Sequence, residues 1–417
     1  MRIRLYALLL ATLSVQCAVS GPLPSFARLD FPEPLRGAQP SVALEKGRGF
    51  IATWQQSDGP RSSLRWMSLD FDGRPTAGGV IASGDDWFVN WADTPAMSVL
   101  DNGDWVAFWL ERNDTQIAEG YDIRVTRSQD RGRSWSKPVS PHRDGTKTQH
   151  GFVSLVPDGE DRVLIVWLDG RLGEISPATS PQASSHDHES APMTLRAAVL
   201  NRANEIVDES LIDERTCSCC QTDLGRARNE TLVAYRDRSA GEIRDIAISR
   251  RRDSRWNDSR WSEPELVHPD GWKIEGCPVN GPALAINGDR GLVFWPTLVG
   301  DAMTLRYKSF NESTASIVRS EAHTLILSTP PSGRVDAVAW GEGFLLTWVS
   351  RARDRPSVDM AVIDVRGSAT VVPAIAEPSL RGRATGFPRI ASDGARALVV
   401  WPESENGVPV IGLGLIR

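Results

Sequence analysis

Past about residue 20 the chain alternates short apolar runs with polar turns, and helical periodicity is nearly absent. One unit recurs: a short strand, a turn, and a second strand that ends in an aromatic residue. It is seen in Pro40-Ser41-Val42-Ala43-Leu44 followed by Phe50-Ile51-Ala52-Thr53-Trp54. It returns in Pro95-Ala96-Met97-Ser98-Val99 followed by Trp105-Val106-Ala107-Phe108-Trp109. Further copies end at Trp167, Tyr235, Trp295, Trp348 and Trp401, so successive aromatics stand 55, 58, 68, 60, 53 and 53 residues apart. Each unit continues into a third strand, such as Leu64 to Asp70 or Asp122 to Arg127, and usually a fourth. Repeats of this size, with about four strands each, predict an all-β propeller.

Seven aromatic-ended strands predict seven four-stranded blades, with six as the alternative. The last copy has three strands before Arg417, and Phe26 to Phe31 precedes the first copy. Pairing that segment onto the last blade would close the ring and remove two open sheet edges. Residues 21–417 then form a single domain.

Composition narrows the class without changing this picture. The 417 residues are 41% hydrophobic and 24% charged, which is ordinary for a globular chain and excludes disorder. The formal net charge of −6 argues against nucleic acid or an anionic membrane surface as partner. The basic start Met1-Arg2-Ile3-Arg4, the apolar run Leu5 to Leu13 and Ala18-Val19-Ser20 before Gly21 read as a signal peptide over 1–20, cleaved near Ser20. Cys17 offers a lipoprotein alternative, which Gln16 directly before it disfavours. No later segment is long and apolar enough to span a bilayer. The expected product is a secreted or periplasmic monomer in an oxidising compartment.

In a blade of this kind the first strand starts and the second strand ends on the same face of the ring. Residues just before the first strands are His150, then Cys217, Cys219 and Cys220, then Cys277 and Asn280, then Arg334 and Asp336, and finally Arg389. Residues just after the second strands are Glu111 and Arg112, Asp169-Gly170-Arg171, Arg236-Asp237-Arg238, and Glu403. All are expected on one rim, as ligand contacts, solvated loop charges or blade-to-blade ion pairs. The connection after Asp169 runs to about Pro192, carries His186-Asp187-His188-Glu189 and is long enough to be a lid or binding loop over that rim.

Cys217 and Cys277 each stand 18 residues before their blade's aromatic, so the two cysteine loops are expected to meet in adjacent blades. Two chemistries fit four such sulfurs. Cys217, Cys219, Cys220 and Cys277, with His150 or the His186/His188 loop, would suit copper or zinc by ligand softness. Alternatively they form two disulfides, one joining the blades and one between near neighbours.

Ser128-Gln129-Asp130-Arg131-Gly132-Arg133-Ser134-Trp135 matches the S-x-D-x-G-x-x-W hairpin known as the Asp box. Together with Thr216-Cys217-Ser218-Cys219-Cys220-Gln221-Thr222, Tyr235-Arg236-Asp237-Arg238-Ser239, Gly276-Cys277-Pro278-Val279-Asn280-Gly281-Pro282 and Gly386-Phe387-Pro388-Arg389 it resembles the sialidase-like (BNR-repeat) propellers. The similarity covers nearly the whole chain and points to an exported bacterial branch commonly labelled exo-alpha-sialidase. The resemblance implies an arginine clamp for a substrate carboxylate, which Arg171, Arg236, Arg238 and Arg389 could furnish with Asn280 beside them. It implies an acid/base carboxylate at Asp169 or Asp237. The tyrosine nucleophile has no counterpart, since Tyr121, Tyr235 and Tyr307 all lie earlier than the family places it. Hydrolysis by two carboxylates would draw on Asp169, Asp237, Asp336 and Glu111. Three functions follow as expectations: binding of an extracytoplasmic glycan or small acidic ligand at the rim, with or without hydrolysis, a metal or thiol function at the cysteines, and a non-catalytic scaffold for a protein partner.

Overall fold

The computed structural model describes residues 23–114, 120–172, 193–252, 260–311, 321–352 and 355–417. The signal segment, Cys17 and the His186/His188 loop lie outside the described residues. Seven antiparallel sheets follow one another along the chain, six of four strands and one of three. The seven aromatics occupy the second strands of the seven sheets, from Trp54 in Gly49–Asp58 to Trp401 in Ala397–Glu405. The seven-bladed reading therefore holds, and the six-bladed alternative does not. Helical content among the described residues is confined to the 3-10 turn Gly382–Thr385.

The ring closes as the terminal pattern required. Phe26–Leu29 pairs with Val408–Ile416, from Phe26 opposite Ile416 to Leu29 opposite Leu413. It becomes the outer strand of a blade whose other three strands come from the C-terminal end.

Buried apolar clusters lie between neighbouring blades, and one of them, centred on blades 3 and 4, also takes in Ala92 and Phe387. Trp167 sits with Val106, Phe108 and Val125 between blades 2 and 3, Trp295 with Leu232 and Ile248 between blades 4 and 5, and Trp401 with Leu345 and Met360 between blades 6 and 7. The cluster of Trp54 with Leu398 and Leu413 joins blade 1 back to blade 7. Second strands are thus covered on both faces, which is why they read as continuous apolar runs such as Leu232-Val233-Ala234-Tyr235 instead of alternating.

One expected strand is nearly missing. Blade 2 has Ala96–Val99, Trp105–Arg112 and Tyr121–Ser128, and its fourth position is reduced to a single pair, Val125 with Val139. The hairpin at 128–135 intervenes. There Asp130 accepts the backbone N–H of Ser134 at 2.9 Å and its hydroxyl at 2.6 Å, and Ser128 Oγ accepts Gly132 N–H at 2.7 Å. Gly132 has φ +83° and lies against Trp66, where no Cβ fits. Trp135 packs on Trp105, and Trp105 meets Trp66 edge-on at 4.9 Å.

Candidate functional site

The first strands surround the ring axis and enclose a cavity of about 270 Å³ to which all seven blades contribute. Its polar lining includes Asp93, Ser154, Asp223, Asp336 and Arg389. The three carboxylates come from blades 2, 4 and 6, and each accepts a backbone N–H of the following blade. Asp93 binds Phe152 N at 2.8 Å, Asp223 binds Leu284 N at 2.7 Å, and Asp336 binds Ile390 N at 3.0 Å. They are clasps between blades that also face the cavity.

Burial governs their protonation. It pushes Asp93 up to about 7, against hydrogen bonds from Phe152 N–H and the Tyr121 hydroxyl. It pushes Asp223 up to about 7 as well, helped by the like charge of Asp336 and opposed by Leu284 N–H and Arg389. Asp336 is raised by burial and held back chiefly by Arg389. Asp336 and Arg389 were legible as rim residues, whereas Asp93 and Asp223 were not. A signal for Asp223 existed: Asp223, Asp336 and Arg389 each stand 12 residues before the aromatics Tyr235, Trp348 and Trp401.

At one side of this axis the loops ahead of blades 2, 6 and 7 stack aromatic rings on arginines. Trp91 and Phe387 lie 6.1 Å apart with planes inclined by 16°. The Arg334 guanidinium stands 4.8 Å from the Trp91 ring, Arg383 stands 6.0 Å from it, and Arg389 is 5.5 Å from Phe387. Arg334 also donates to Gly382 O at 3.1 Å and to the Thr385 hydroxyl, and it lines a neighbouring hollow of about 160 Å³ with Arg351 and Arg381. Burial, then the charge of Arg351, lower Arg334 to about 10. Among the described residues none of these five arginines forms an ion pair with a carboxylate. Guanidinium groups beside the half-buried Trp91 and the buried Phe387, with Arg389 also facing Asp336 and Asp223, are the chemistry that receives an anionic, partly apolar ligand.

The other expected ligand contacts are internal. Arg236 is 1% exposed and spends its donors on Asn280 O (2.8 Å), Arg244 O (2.6 Å) and Pro296 O (2.7 Å), with its face on Trp272. It staples blade 4 to blade 5 and cannot reach a ligand. Arg238 pairs with Glu242, and Arg171 pairs with Asp169 at 2.8 Å and Glu209 at 3.2 Å. Asn280 accepts Arg334 N–H through its side chain. The four-arginine clamp drawn from the resemblance is therefore not assembled, and of its members only Arg389 faces the cavity.

The carboxylates after the second strands have partners in their own blades. Asp169 accepts the Trp167 indole N–H at 2.7 Å, and Glu403 faces the Trp401 indole in the same two-residue relation. Asp237 is half-buried and raised to about 6, by burial first and then by Asp213 and Asp245 against a bond from Arg238 N–H. Glu111 lies 3.4 Å from Arg124.

His150 and the sulfurs separate. His150 packs with His142, Asp122, Asp144 and Asp169, while Cys217, Cys219 and Cys220 form their own group, and no described ligand set within 4.8 Å combines them. Cys217 is joined to Cys220, so the disulfide lies within one loop. Cys277 does meet that loop from blade 5, as the equal offsets required, but as a thiol hydrogen-bonded with Cys219.

No protein-family model matches the sequence, and no curated protein matches it either. Among solved structures the chain is similar to a polysaccharide lyase, Uly1, at 10% identity and a TM-score of 0.51, covering 96% of this chain and 93% of that one. It is similar to an alpha-L-arabinanase of Penicillium chrysogenum complexed with arabinobiose, at 13% identity and a TM-score of 0.50, covering 79% and 94%. The NanB sialidase of Streptococcus pneumoniae matches at 9% identity and a TM-score of 0.48, covering 94% of each chain. The first two likenesses establish the propeller fold.

Proposed function

We propose that this protein binds an acidic glycan at the mouth of its central cavity and is equipped to cleave it. The observation that carries the reading is Arg389 in the cavity wall with Asp223 and Asp336, joined through Phe387 and Trp91 to the guanidinium groups of Arg334 and Arg383. Sugar rings present apolar faces to aromatic side chains, and a carboxylate or sulfate on the sugar matches a guanidinium fork. Asp223, held near 7, is poised to deliver a proton at neutral pH, with Asp336 as the companion carboxylate. The glycan-active neighbours support the class of ligand, in which a polysaccharide lyase and an arabinanase share the architecture. Sialic acid is one acidic sugar among several that this chemistry would accept, and the family's tyrosine nucleophile has no counterpart at the cavity.

Calorimetric titration with uronic-acid, sulfated, sialylated and neutral oligosaccharides tests this. Acidic oligosaccharides should bind and neutral ones should not, and Arg389→Ala should weaken binding at least tenfold while leaving the thermal midpoint within a few degrees. If no acidic glycan binds, or if Arg389→Ala binds as tightly as the parent protein, the reading fails.

A further inference from the structure

Four sulfurs gather where the loops ahead of blades 4 and 5 touch. Cys217 and Cys220 are bonded to each other. Cys219 Sγ lies 3.8 Å from Cys217 Sγ, and its thiol is hydrogen-bonded with that of Cys277, contributed by the next blade. Independently of the glycan reading, we propose that Cys219 and Cys277 are the ligands of one soft monovalent d10 cation, Cu(I), held as a bis-thiolate between the two blades.

Coordination number argues for a soft monovalent ion. With Cys217 and Cys220 joined, two thiols remain, Cys219 and Cys277, and they are hydrogen-bond partners across the two blades. Zinc in structural sites takes four ligands, usually as pairs spaced two to four residues apart. No histidine or carboxylate among the described residues joins the sulfur group within 4.8 Å to complete such a set. Thiolate sulfur is the donor that Cu(I) prefers.

Charge argues for the same ion. Two thiolates and one Cu(I) carry a net charge of −1, whereas two thiolates and a divalent ion are neutral. The surroundings are cationic. Arg244 is 3% exposed, places Nη1 3.6 Å from Cys217 Sγ, and has a buried Nε with no hydrogen-bond partner among the described residues. Its Nη2 is taken by Glu242 at 2.7 Å, so its sulfur-side edge is the part left for an anion. The fully buried Arg236 adds a second guanidinium that senses Cys219. Val279 N–H donates to the Cys219 sulfur.

Entry is open, because Cys277 is exposed and Cys219 is only partly buried. Both ligands are thiols before the ion enters, so the ion displaces their protons when it binds. The step balances without an oxidant: one Cu(I) enters, two thiol protons leave to solvent, and the Cys217–Cys220 bond is untouched.

The test is an anaerobic titration of the full chain with Cu(I) against the chromogenic chelator bicinchoninate. One Cu(I) should bind per chain with release of two protons, and Cys277→Ser should lower the affinity at least a hundredfold. Because Cys277 is exposed, that variant should keep its circular dichroism and thermal midpoint. The double variant Cys217→Ser/Cys220→Ser should retain the Cu(I). The proposal falls if Cys277→Ser binds Cu(I) as tightly as the parent. It falls if thiol counting in denaturant finds none beyond Cys17, since Cys219 and Cys277 are then a second disulfide. It also falls if Zn(II) competes with Cu(I) at equal affinity.

Discussion

The imidazoles of His142 and His150 lie face to face, with ring centroids 3.8 Å apart and planes inclined by 5°. Both are buried among Asp122, Asp144 and Asp169. Burial disfavours a proton on either ring, but the hydrogen bonds of Asp122 and Asp144 and the charge of Asp169 win at His150 and push it up to about 9. At His142 burial and the charge of His150 win, and it falls to about 4. The pair therefore shares one proton across the neutral range.

Opposite signs follow for stability. His150, raised above its ordinary 6.5, contributes stability that is complete below pH 6.5 and is lost as pH rises through 9. His142, lowered, contributes stability that is complete above pH 6.5 and is lost as pH falls through 4. Each limb is on the order of 3 kcal/mol at most, taking about 1.4 kcal/mol per pH unit. Urea titrations across pH 3–10 should show that His150→Gln flattens the alkaline limb and His142→Gln the acid limb. An unchanged alkaline limb in His150→Gln would refute the assignment.

Asp169 sits at the crossing of three interactions: the Trp167 indole N–H, the Arg171 guanidinium and the charge of His150. Replacing it by Asn keeps an acceptor for the indole but removes one anion from both Arg171 and His150, leaving Glu209 and Asp144 to the first and Asp122 and Asp144 to the second. Asp169→Asn should cost about 2–4 kcal/mol in the urea midpoint. It should also lower the His150 titration followed by NMR. A substrate-binding role would instead lower turnover while leaving both readouts in place.

The fold was legible because second strands buried on both faces must be apolar throughout, and each carries its aromatic at a repeating distance. The meeting of the two cysteine loops was legible for the same reason, through the equal offsets of Cys217 and Cys277 from Tyr235 and Trp295. Which sulfurs bond was not, since three cysteines within four residues leave the choice to loop geometry. Rim charges such as Arg236 defeated sequence reasoning on different grounds. Its acceptors are backbone carbonyls of Asn280 and Pro296, 44 and 60 residues away, and carbonyls have no signature in a sequence. Trp91 and Phe387 lie in loops outside the strand register, so nothing marked them as neighbours.

Arg236 offers a direct check of this internal role. Truncation to Ala would leave three buried carbonyls without donors, at a cost of about 3–5 kcal/mol. Arg236→Lys should fail nearly as badly, because an ammonium cannot reproduce a planar fork aimed at three acceptors. Equilibrium denaturation should therefore rank both variants far below the parent, with Lys only slightly better. A Lys variant of parental stability would mean that charge, and not geometry, holds the site.

The cavity carboxylates give the most discriminating prediction, because two substitutions should move one proton in opposite directions. Asp223 is raised from 3.8 to about 7, by burial and then by Asp336, and Arg389 opposes the rise. Its share of stability is complete below pH 3.8 and is lost as pH climbs through 7. Asp336→Asn preserves the acceptor for Ile390 N–H but removes the like charge, so the Asp223 titration should drop. Arg389→Gln removes the cation, so the same titration should rise. Carboxyl carbon shifts of labelled aspartate, followed by NMR from pH 3 to 9, report the proton directly. A shift of the same sign in both variants would show that burial alone sets the value and that these three side chains do not act on one another across the cavity.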